Sequence, residues 1–85
     1  MIIFRARRWQ REELAKRLCR LIYGTDQVWQ KETGSWQIGC ANDWWLHPKE
    51  DESYLLHYRY GTKERMQQLA PVLAWFLHVD IIEVS

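Results

Sequence analysis

Two stretches of this chain alternate apolar and polar residues with a period of two. They are flanked on both sides by stretches in which apolar residues recur at every third and fourth position. In Ser35–Cys40, Trp36, Ile38 and Cys40 alternate with Ser35, Gln37 and Gly39. In Tyr54–Tyr60, Tyr54, Leu56, Tyr58 and Tyr60 alternate with Leu55, His57 and Arg59. Successive side chains of an extended backbone point to opposite faces, so this pattern predicts half-buried strands. Val28–Lys31 reads as a further strand, joined to Ser35–Cys40 through the tight connection Glu32-Thr33-Gly34. The short β-branched runs Met1–Ala6 and Asp80–Val84 read as first and last strands. Their isoleucines predict positions inside the sheet.

Gln10–Tyr23 reads as a helix, because Leu14, Leu18, Leu21 and Ile22 share one face while Lys16, Arg17 and Arg20 take the other. Glu12 and Glu13 suit the positive end of the helix dipole, and Gly24 suits a C-terminal stop. No Ser, Thr, Asp or Asn caps its start. Thr62 is a cap for a second helix, in which Met66, Ala70, Leu73 and Leu77 form a stripe. Pro71 lies within that stripe and predicts a kink or a break. The order β-α-β-β-β-α-β follows. The natural packing is a single α+β domain over residues 1–85, with an antiparallel sheet and both helices on one face. A ferredoxin-like variant with an added strand satisfies this order. The α-β-β-β-α order of residues 10–78 is similar to that of a double-stranded-RNA-binding domain, and Gly61-Thr62-Lys63 looks like that family's basic helix start. However, Lys63, Glu64 and Arg65 stand where the family carries several lysines. The chain also has terminal strands in addition, so the family is not assigned.

The 85 residues include six tryptophans, Trp9, Trp29, Trp36, Trp44, Trp45 and Trp75. Each brings a large apolar body and an N–H that needs a partner, and a small domain has little interior for them. Trp36 and Trp75 fit the core by their patterns, with Trp75 on the flank of its stripe. Trp44 and Trp45, if extended, point to opposite faces; if they form a turn, at least one is still exposed. Trp9, Trp29 and one of the adjacent pair are the surface candidates.

Charge is uneven. Residues 1–20 hold seven Lys/Arg against two acids, whereas the rest of the chain is mildly acidic. A basic beginning either attracts an acidic or nucleic-acid partner or solvates a helix face. With two cysteines, no apolar leader and no apolar run of membrane-spanning length, the expectation is a cytoplasmic protein with reduced thiols and no membrane partner. Cys19, Cys40, His47, His57 and His78 lack paired metal-ligand spacing, so neither a metal site nor a cofactor is expected. Cys40 reads as a buried strand residue and Cys19 as lying on a helix flank. Cys40 with His47 or His57, near Asp43, is the one notable nucleophile pairing, and nothing local marks it as activated. The four glycines form no phosphate loop. No enzyme is expected.

The function that best fits is non-catalytic: docking on a larger protein, or on a protein–nucleic-acid complex, through aromatics flanked by charge. A small stoichiometric inhibitor or regulator of the kind carried by phages and mobile elements is a plain example. Its expected contact residues are Trp9, Trp29, Trp44, Trp45 and His47, with the acidic run Glu50, Asp51 and Glu52, which either imitates phosphate or only adds solubility. The alternative is nucleic-acid binding, with Arg5, Arg7, Arg8 and Arg11 on phosphates, Trp9 stacked on a base, and Lys63 and Arg65 in support. A homodimer is a further arrangement open to an exposed aromatic face.

Overall fold

A computed structural model describes all residues from Met1 to Ser85. The elements run β1 (Ile2–Arg5), α1 (Arg11–Tyr23), β2 (Val28–Gln30), β3 (Trp36–Ile38), β4 (Trp44–Pro48), β5 (Ser53–Tyr58), α2 (Lys63–Leu77) and β6 (Asp80–Val84). The six strands form one antiparallel sheet in the order β2-β3-β4-β5-β1-β6. The α+β architecture read from the sequence is present. Strand β4 is an addition to it, because the segment around the tryptophan pair is extended. Four strands therefore separate the helices, rather than the three of the double-stranded-RNA-binding order. The sub-sheet β6-β1-β5-β4, with α1 after β1 and α2 after β5, has the order of a ferredoxin-like unit. The β2–β3 hairpin extends it.

One sheet face carries the core. Ile2 and Phe4 of β1 stand opposite Leu56 and Tyr54 of β5, and Leu56 stands opposite Leu46 of β4. Leu46 in turn stands opposite Trp36 of β3. All six are buried. Leu14, Leu18 and Cys19 of α1 and Met66, Ala70, Leu73 and Leu77 of α2 close over them. A fully buried Leu or Ile contributes about 1.5–3 kcal/mol, so this layer supplies the main stabilisation.

The helix ends follow their sequences. Gln10 makes no side-chain cap, whereas Gly24 takes a left-handed conformation and its N–H bonds the carbonyl of Arg20. Thr62 accepts a bond from the Arg65 N–H and so starts α2. Pro71 neither breaks nor ends α2, which runs unbroken to Leu77. An interior proline costs about 3 kcal/mol. Met66 and Ala70 before it and Leu73 and Leu77 after it are all buried along one stripe, which offsets that cost.

Four local expectations change. β6 is an edge strand and pairs only with β1; its register slips at Ile3/Phe4, leaving Ile82 exposed. Cys40 is exposed, because β3 ends at Ile38 and Gly39 turns the chain at φ 77°. Cys19 is fully buried rather than on a flank. Trp75 is not in the core and is 81% exposed. It lies two residues from both Leu73 and Leu77, and two residues of an α-helix span about 200°.

Candidate interaction surfaces

The alternation of β4 divides the tryptophan pair. Trp44 faces the helices and stacks on Tyr58, with centroids 4.1 Å apart and planes at 11°. Trp45 points to the open face of the sheet. Register places Trp29, Gln37, Trp45 and His57 in one row across β2, β3, β4 and β5. In the next row, His47 stands opposite Leu55, and Leu55 opposite Ile3. The rings of Trp45 and His47 lie within 4° of parallel at 6.4 Å. Lys31 Nζ sits 6.0 Å from the Trp45 ring centre. Ser35 Oγ and His47 Nδ1 share a hydrogen bond of 2.7 Å, which fixes the imidazole. Burial holds the His47 pKa below its ordinary value, and the neighbouring His57 and Lys49 lower it further. His47 is therefore engaged with Ser35, while Cys40 Sγ bonds Gln27 Oε1 instead. The Cys–His pairing is not assembled.

The other expected contact residues lie apart from this face. Trp9 is not a free surface ring. Its Nε1–H donates to the carbonyl of Leu77 at 2.9 Å, and the Arg17 guanidinium lies 3.6 Å from its ring centre. It joins α1 to the end of α2. Glu50, Asp51 and Glu52 form the β4–β5 turn, at the end of β4 remote from Trp45. That turn receives the basic N-terminal segment: Arg5 Nε donates to the Asp51 carbonyl at 3.2 Å, and Arg7 stands 3.9 Å from Glu52. Both members of the Arg7–Glu52 pair are well exposed, so it contributes little to stability. Arg8 lies against the Trp9 ring and Arg11 begins α1. Arg65 Nη1 donates to the Tyr60 carbonyl beside Lys63 at the start of α2. Arg5 and Arg7 are thus engaged at the β4–β5 turn, whereas Arg8 and Arg17 lie against the Trp9 ring.

A second surface escaped the sequence reading. Val72, Trp75 and Phe76 are 45%, 81% and 56% exposed at helical spacings of three and four on α2. No charged residue occurs between Arg65 and Asp80. That absence was the available signal: a helix whose outer face only solvates it carries charge there.

No three His, Cys, Asp or Glu side chains come together in a way that could hold a metal ion. No helix is long and apolar enough to cross a membrane. No family model matches the chain, and no curated protein or solved structure does either.

Proposed function

We propose that this chain is a non-catalytic protein-interaction domain that docks on a larger protein through the outer face of α2. The observation that carries the reading is Trp75, 81% exposed with Phe76 and Val72 beside it on a helix face without charge. Interface centres are depleted of charge and enriched in aromatics, and tryptophan is prominent among their energetic anchors. A rigid side chain on a regular helix loses little entropy on docking. A domain of this size acts by covering a partner's working surface, as a stoichiometric regulator or inhibitor does.

The test compares immobilised wild-type protein with the Trp75→Ser and Phe76→Ser variants as baits for the same lysate, with thermal unfolding measured in parallel. The expected result is a partner retained by the wild type and lost by both variants, with unfolding unchanged. Equal retention by all three overturns the reading. A wild-type dimer that becomes monomeric on Trp75→Ser, measured by sedimentation, replaces it with self-association.

A further inference from the structure

We infer that the open face of the sheet is a binding site for single-stranded nucleic acid. This inference stands on a different face from α2 and does not depend on that helix's role. Three observations carry it.

The first is a preorganised aromatic platform. Trp45 and His47 lie within 4° of parallel, with the imidazole pinned by Ser35 at 2.7 Å. Trp29, 43% exposed, lies in the same cross-strand row as Trp45, two strands away and therefore about 10 Å distant. A hollow of ≈ 340 Å³ lined by Trp29, Lys31, Gln37 and Cys40 opens beside them. Every base has a π-face, so such rings accept unpaired bases with little regard for sequence. A duplex hides those faces and offers only its edges and backbone.

The second is charge. Lys31 sits beside Trp45, at 6.0 Å from its ring centre, where the phosphate of a stacked nucleotide would need a cation. Arg5 lies on the same face, its side chain bonded to the Asp51 carbonyl, with Asp80 of β6 opposite it in register. Lys49 and Arg59 continue the outward alternation just beyond β4 and β5. Asp43 likewise continues the outward alternation just before β4, its carbonyl accepting from the Arg59 N–H; within the strands themselves, outward carboxylates occur only on β6, at Asp80 and Glu83. The strands that carry the rings hold no carboxylate, and Lys31 places a cation beside Trp45, which complements a polyanion.

The third is contrast. The charge-free surface of α2 has the chemistry of a protein contact, whereas the sheet face pairs rings with cations and hydrogen-bonding groups such as Gln37 and His57. Rings together with cations are the two working parts of single-strand binders.

The experiment follows the fluorescence anisotropy of labelled single strands, DNA and RNA, of about 12 nucleotides, with a duplex of the same length, from about 50 to 200 mM salt. Wild-type protein is expected to bind the single strands in preference to the duplex, with affinity falling steeply with salt. Trp45→Ala and Trp29→Ala should each weaken binding about tenfold. Lys31→Ala should lower the salt slope by about 0.7. Trp75→Ser should change nothing, which separates this inference from the proposal for α2. Thermal unfolding of each variant, with Trp45→Phe as a ring-retaining control that keeps binding, excludes loss of fold as the cause.

Absence of binding at low salt overturns the inference. So does equal affinity for duplex, or retention of affinity in both tryptophan variants. Loss of a protein partner on Trp45→Ala, with oligonucleotides silent, assigns the face to protein instead and overturns it too.

Discussion

The indole of Trp9 donates its hydrogen bond to the carbonyl of Leu77, joining the segment that leads into α1 to the last residue of α2. The bond satisfies one of the carbonyls that a helix C-terminus leaves free. Trp9→Phe keeps much of the ring and removes the donor. It should cost about 1 kcal/mol in urea unfolding, and the amides of the last turn of α2 should exchange faster. Unaltered exchange there would mean that the bond does not hold the helix end.

Trp44 and Trp45 should separate clearly on truncation. Trp44 packs against the core and stacks on Tyr58. Trp44→Ala should therefore cost about 3 kcal/mol or more. Trp45 lies on the open face, and Trp45→Ala should cost about 1 kcal/mol or less. Chemical denaturation of the two variants under identical conditions reads the difference, and equal losses would contradict the division of the pair between the faces.

His47 makes stability depend on pH in a defined direction. Its folded pKa lies below 6.5, its ordinary value, chiefly because it is partly buried. Below 6.5 the unfolded chain therefore binds this proton more readily than the folded one does. The contribution to stability is present in full above 6.5 and is lost as pH falls through the folded pKa. Denaturation midpoints should drop as pH is lowered from 6.5, and His47→Gln should flatten that part of the profile. A stability that rises on acidification through this range would contradict the assignment.

Gly39 should not accept a side chain. Its φ is 77°, and a Cβ placed there would come within 2.4 Å of the Tyr23 ring. The ring can swing outward because Tyr23 is 41% exposed, but the left-handed backbone remains. Gly39→Ala should cost about 1–3 kcal/mol, measured by thermal unfolding. Gly34→Ala serves as a comparison, since its φ of 90° is also positive but nothing crowds its Cβ. The Gly39 variant should be the less stable of the two.

The helices and five of the six strands were legible: β3 and β5 because their two sides differ in polarity, β1 and β6 as short β-branched runs, and β2 through its tight turn to β3. β4 was not, because neither side of it is polar enough to show a period. Trp44, Leu46 and Pro48 point inward while Trp45 and His47 point outward, and the proline argued for a loop. The isoleucines of β6 suggested a central strand, although Ile81 faces the core and Ile82 escapes it through the irregular register. Trp75 was misplaced because tryptophan weighs as core in any apolar run, whereas its angular position sets it opposite the Leu73–Leu77 stripe. The row Trp29–Gln37–Trp45–His57 depends on cross-strand register, which joins residues distant in sequence and follows from no local spacing. The aromatic character of the sheet face was therefore readable only in outline, as more indole than the interior could hold.

The position of β1 between β5 and β6 has a consequence for biosynthesis. Within this domain β1 is synthesised before the other elements, yet both strands that flank it follow late in the domain's order. Ile2 and Phe4, completely buried in the finished domain, have no sheet partner while the meander of β2 to β5 is being assembled. The partly synthesised domain thus carries an unpaired apolar segment, a natural ligand for a holdase, and the sheet closes around β1 only once β5 and β6 are both made.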